Sequence, residues 1–171
     1  IDYGMGNLHS VNKALKYVGA EVEVTSEAAK IAKADKVILP GVGAFGDCML
    51  NLEKYGLVPV IKETLASDKP FLGICLGLQL LFEGSEEAPG IQGLGFFKGQ
   101  VEKIKTDLKV PHMGWNTIGQ TCSGLFEGFT KEEYVYFVHS YYVPVNDCTA
   151  AVTDYIHPFS AALHKDNFYA T

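Results

Sequence analysis

Apolar residues recur along the first half of the chain in two alternating rhythms. From Asn7, Leu8, Val11, Leu15 and Val18 fall at helical spacing, and Gly19 suits a C-terminal cap. Glu21-Val22-Glu23-Val24-Thr25 alternates as a strand does, and Ser26 is placed to cap a short helix carrying Ile31. Lys36-Val37-Ile38-Leu39 reads as a buried strand broken by Pro40-Gly41. Residues 45–66 are helical in pattern, divided near Gly56 and Pro59, and Lys69–Ile74 is a second buried strand. This alternation predicts an α/β fold with a mostly parallel central sheet flanked by helices. After Phe82 glycines punctuate a segment rich in aromatic and β-branched residues. Strands are predicted at 96–104, 134–143, 150–155 and 160–163, with Lys165-Asp166-Asn167 as a hairpin turn, so this half adds antiparallel strands.

Length and charge narrow the picture. At 171 residues the chain suits a single domain, 1–171, with a sizeable core. A formal charge of −6 argues against nucleic acid or an anionic membrane as the main partner. No apolar run approaches a membrane span, and no signal-peptide pattern opens the chain. Cys48, Cys75, Cys122 and Cys148 are scattered without C-x-x-C or zinc spacing, as expected of free thiols in a reducing cytoplasm. Ile1–Gly4 reads as the tail of a strand, and Phe168–Thr171 as a strand without a closing element. The expectation is a domain whose first residues and C-terminal segment lie outside this sequence.

The chemistry centres on Gly73-Ile74-Cys75-Leu76-Gly77, where a strand passes through a sharp turn into a helix. Its two glycines let backbone crowd the apex, and the helix start aims N–H groups and its positive dipole end at the sulfur, favouring thiolate. A buried structural cysteine is the alternative. Gly41-Val42-Gly43-Ala44-Phe45-Gly46 matches G-x-G-x-x-G after a strand, with Glu63 at a distance suited to a ribose carboxylate. Against a nucleotide site stand Pro40 before it, its place after the third predicted strand, and Glu63 within a helix. The same turn could instead point backbone N–H groups into a cleft as an oxyanion hole.

Pro40-Gly41-Val42-Gly43 followed by Gly73–Gln79 resembles the class I (triad-type) glutamine amidotransferases, which have a flavodoxin-like fold. Tyr3–Leu8, Gly84–Glu87, Pro111–Asn116 and Tyr136–Tyr141 narrow the resemblance to glutaminase subunits of imidazole glycerol phosphate synthases, over nearly the whole chain. The resemblance implies that Cys75 attacks the glutamine side-chain amide, with oxyanion donors from Leu76 and the Val42-Gly43 turn. It also implies that Gly43, Gln79, Glu87, Ser140 and Tyr141 bind the substrate. No cofactor or metal is implied. The partner implied is a (β/α)₈ cyclase that consumes ammonia in histidine biosynthesis, with Asn7, His112, Met113, Trp115 and Asn116 as interface candidates; a core tryptophan is the alternative for Trp115.

One element of the family pattern is absent. The family's base is a histidine in His-Pro-Glu, shortly after a segment like Tyr169-Ala170-Thr171. His157-Pro158 is followed by Phe159 and comes before the strands that should precede it, so His157 reads as a loop residue. His9 and His164 are expected at the surface, and His139 as architectural. A non-catalytic binding subunit of the same fold therefore stands beside the enzyme reading, as does a nucleotide-binding protein built on Gly41–Gly46.

Overall fold

The computed structural model describes residues 1–119, 121–122, 124–129 and 133–171. The run after Asn7 forms α1, Leu8–Tyr17, started by the Asn7 side chain accepting the Ser10 N–H and ended before Gly19, whose φ is 84°. The alternating residues 21–25 form no regular strand, contrary to the pattern. The Asp2 N–H donates to the Thr25 carbonyl, and the Ile1 ammonium donates to the Ile38 carbonyl. Helix α2, Ala28–Lys33, buries Ile31 as predicted but starts from Glu27 rather than Ser26.

Strand β1 is Val37–Gly41, followed by helices α3, Phe45–Lys54, and α4, Val58–Leu65. Gly56, at φ 67°, and Pro59 in the first turn of α4 divide the helical run where the sequence placed the break. Strand β2, Phe71–Cys75, runs directly into α5, Leu76–Gln79. The second half contributes β3, Gly84–Ser85; β4, Gln100–Lys103; β5, His112–Thr117; β6, Tyr134–His139; β7, Tyr141–Tyr142; β8, Thr149–Tyr155; β9, His157–Lys165; and β10, Phe168–Ala170. The expected strand over 96–104 is confined to β4, and that over 134–143 is interrupted at Ser140. His157 opens β9 instead of lying in a loop. Ile156, at φ 74°, makes the tight turn that pairs Tyr155 with His157.

The main sheet has the order β1-β2-β10-β9-β8. The β1–β2 and β2–β10 ladders are parallel, and β10–β9 and β9–β8 are antiparallel. The α/β reading holds, with a mixed sheet whose parallel half carries Cys75. Pro40 is tolerated because β1 is an edge strand. Helices α3 and α4 bury Phe45, Leu52, Leu57 and Ile61 in a core shared with Leu39 and Phe71 of the sheet.

Candidate active site

Register places the two glycine turns side by side, because Gly41 is the ladder partner of Cys75. Close packing then shapes the apex. A Cβ on Gly41 would come within 2.8 Å of the Gly77 nitrogen, one on Gly73 within 2.9 Å of the Gly77 oxygen, and one on Gly77 would overlap the Leu39 carbonyl. Cys75 itself sits at φ 56°, ψ −116°, a conformation that costs a non-glycine residue roughly 1–3 kcal/mol. The strain turns the cysteine out of the sheet, so it is exposed where a structural thiol would be buried.

Cys75, Gln79, Phe137, His139, Tyr141 and Thr171 are among the walls of a cleft of about 590 Å³. Gln79 Oε1 is buried there without a hydrogen-bond partner among the described residues, leaving an acceptor for an incoming N–H. Val42, Gly43, Glu87 and Ser140 are not among the walls of this cleft. Glu87 instead accepts the Phe45 N–H at 2.8 Å, holding the first turn of α3 immediately after Gly43. The Val42 carbonyl accepts the Cys48 thiol at 3.5 Å, and the buried Tyr3 hydroxyl donates to the Pro40 carbonyl at 2.8 Å. The glycine turn is thus fixed from behind by Tyr3 and Cys48; sequence reasoning placed Tyr3 in a segment of the family pattern without giving it a role, and gave Cys48 none.

The electrostatics differ from expectation. Desolvation pushes the Cys75 thiol above its ordinary value, and the hydrogen bond from the Leu76 N–H only partly offsets this. The thiol therefore needs a proton acceptor. Of the five histidines only His139 lines the cleft, and its Nδ1 and Nε2 lie 2.9 Å from the Tyr141 carbonyl and His112 Nδ1 respectively. His157 packs on Tyr142 and His164 on Tyr169. The Cys75 N–H donates to the Thr171 carbonyl at 2.6 Å, so β10 leads the chain up to the cysteine.

The interface candidates divide by strand alternation. Met113 and Trp115 point outward, 55% and 70% exposed, in register with the exposed Val138 and Tyr136 on β6. His112 is buried between Phe137 and Tyr155, and Asn116 binds the Asp154 carbonyl. These two lie on the opposite face of β5 from Met113 and Trp115. Asn7 is exposed beside α1.

The class-I glutamine amidotransferase family matches residues 1–171, the whole sequence. This chain belongs to that family. Among its relatives are proteins named imidazole glycerol phosphate synthase subunit HisH. That of Bacteroides thetaiotaomicron is 55% identical over all of this chain and 87% of its own length. That of Syntrophotalea carbinolica is 51% identical over all of this chain and 88% of its own. A crystal structure of a glutamine amidotransferase superposes with a TM-score of 0.76 at 16% identity, covering 98% of this chain and 84% of that one, which supports the fold. In this amidotransferase the dinucleotide reading of Gly41–Gly46 fails. Gly41 is spent on packing against Gly77, and Gly46 is buried in α3 against Ile91 and Ala88.

Proposed function

We propose that this enzyme is the glutaminase subunit of an imidazole glycerol phosphate synthase and that Cys75 is its nucleophile. The observation that carries the assignment is the strained, outward-turned Cys75 sharing a cleft with the unpartnered Gln79 Oε1. Glutamine enters with its amino-acid end toward Gln79 and Tyr141, and the family resemblance adds Gly43, Glu87 and Ser140 as contacts. The thiol loses its proton to a base, and sulfur adds to the side-chain carbonyl. The resulting oxyanion is held by N–H groups of Leu76 and the Val42-Gly43 turn. As the intermediate collapses, the base gives its proton to the departing NH2 group, which leaves as neutral ammonia. Water then cleaves the γ-glutamyl thioester, giving glutamate and the free thiol.

The raised thiol fits this sequence, since a base is needed for attack. In the class the base is the histidine of a His-Pro-Glu segment. Ammonia released into bulk water would be protonated, so a partner must receive it. We assign that role to a (β/α)₈ cyclase docked over Met113 and Trp115, with Asn7 at its margin. Among the described residues no helix is long and apolar enough to cross a membrane. Four free thiols suit a reducing cytoplasm.

A second reading, a binding subunit without glutaminase activity, draws on the engagement of both His139 nitrogens. Glutamate release by the full-length protein with its cyclase separates the two. The enzyme reading expects hydrolysis that Cys75→Ala abolishes, while synthesis from added ammonia persists. Hydrolysis unchanged in Cys75→Ala would refute the nucleophile, and none in the native complex would favour the binding subunit.

A further inference from the structure

Two histidines on neighbouring strands form a hydrogen-bonded chain whose proton positions are forced. His139 Nδ1 lies 2.9 Å from the Tyr141 carbonyl, which can only accept, so Nδ1 carries the proton. In a neutral ring Nε2 then accepts, and 2.9 Å away it meets His112 Nδ1, which must be the donor. His112 Nε2 is left as an acceptor facing the Asn116 Nδ2 at 3.4 Å. The Asn116 amide cannot turn over freely. Its oxygen accepts the Thr117 N–H at 2.8 Å, and its nitrogen donates to the Asp154 carbonyl at 2.9 Å. The chain is therefore anchored to backbone at both ends, and each acceptor has one donor.

An added proton has no place in this chain. On His112 Nε2 it would oppose the Asn116 amino group. On His139 Nε2 it would force His112 into the other tautomer and create the same clash. The groups facing the two rings are Phe137 from β6, Tyr155 from β8, Phe159 from β9 and Asn116 from β5 itself. Tyr155 is the titratable side chain among these four, and its hydroxyl is given to the Lys109 carbonyl.

The carbonyl at the end of the chain belongs to Tyr141, the first residue of β7 after the break at Ser140. The break and β7 are both tied to β4, with the Ile104 N–H donating to the Ser140 carbonyl and Tyr141 paired with Lys103. Tyr141 faces the cleft that contains Cys75. We propose that His139 and His112 are positioning residues for glutamine: as a neutral relay with both protons on Nδ1, they hold the Tyr141 carbonyl and with it the Tyr141 wall of the substrate cleft and the adjoining Ser140. This rests on the reading that Ser140-Tyr141 binds glutamine beside Cys75. The relay acts on the wall and not on the sulfur, so its loss weakens substrate binding more than chemistry.

The test uses the full-length protein in complex with its cyclase. Nitrogen NMR of histidine-labelled complex at neutral pH is expected to show the Nδ1–H tautomer for both residues, and the Nε2–H tautomer at either overturns the relay. His139→Ala is expected to raise glutamine KM about tenfold with kcat within about threefold. His139→Asn, whose amide N–H stands in for Nδ1–H, restores KM to within about threefold of the native value, whereas His139→Gln, which reaches the Nε2 position, does not. An unchanged KM in His139→Ala, or an equal defect in the Asn variant, overturns the proposal. Alkylation by a chloroketone analogue of glutamine is run in parallel. Failure to label Cys75 in the native complex defeats the active-site reading itself, while labelling with unchanged KM defeats only the relay. The tautomer measurement decides if the variants do not fold.

Discussion

Gly77, the second residue of α5, lies so close to the Leu39 carbonyl that a Cβ at this position would overlap the oxygen. This contact joins the nucleophile-bearing turn to the neighbouring strand, and backbone on both sides prevents relaxation. Gly77→Ala is expected to lose about 3 kcal/mol or more of unfolding free energy in urea titrations. Gly19→Ala, at φ 84° with nothing within 4 Å, is expected to lose about 1 kcal/mol. Equal losses at both sites would mean that the apex is not packed as described.

The apex was legible because its signals are local. Gly-x-Cys-x-Gly between a strand pattern and a helical pattern states both the turn and the crowding. The division of α3 from α4 was legible for the same reason, through Gly56 and Pro59. What escaped depends on partners distant in sequence. Residues 21–25 alternate like a strand, but among the described residues they join no strand ladder. His112 and Asn116 share a motif with Met113 and Trp115, and only the β5–β6 register reveals that they face inward. The Cys75 thiol is pushed up, not down, because the cleft around it desolvates the sulfur, and which residues form that cleft depends on strands distant in sequence.

Because desolvation holds the Cys75 thiol above its ordinary value of 9.0, the present chain is expected to carry it protonated at neutral pH. Alkylation of the Cys75 peptide by iodoacetamide, followed by mass spectrometry, should accelerate with pH and reach no plateau below that value. The exposed Cys122 serves as an internal comparison. A plateau near neutrality would instead indicate a thiolate stabilised within these residues.

Burial holds both His112 and His139 below the ordinary histidine value of 6.5. The unfolded chain takes up these protons around 6.5, while the folded chain resists them to lower pH. Their contribution to stability is thus complete above 6.5 and is lost as pH falls from there through the folded values. Urea midpoints measured from about pH 7.5 down to about 5 should fall, and His139→Asn, which cannot titrate, should flatten the profile. Identical pH profiles for the two proteins would contradict the assignment.

Trp115 is 70% exposed and lies edge-on to Tyr136, with Met113 and Val138 one step along the same face. If this face receives the cyclase, Trp115→Ala should weaken the complex by about 2 kcal/mol, roughly thirtyfold, in calorimetric titrations. The melting temperature of the isolated subunit should change little, because the side chain supports no core. A large loss of stability with unchanged affinity would place Trp115 in the fold and not in the interface.

The central claim is that the thiol at the end of β2 becomes acylated by glutamine, and trapping that intermediate tests it most directly. The full-length complex, turning over glutamine, is quenched in acid and the Cys75 peptide is weighed by mass spectrometry. The account predicts a fraction of that peptide heavier by one γ-glutamyl group, released by hydroxylamine and absent from Cys75→Ala. An unmodified Cys75 peptide during sustained glutamine hydrolysis, or the adduct on another residue, would contradict it.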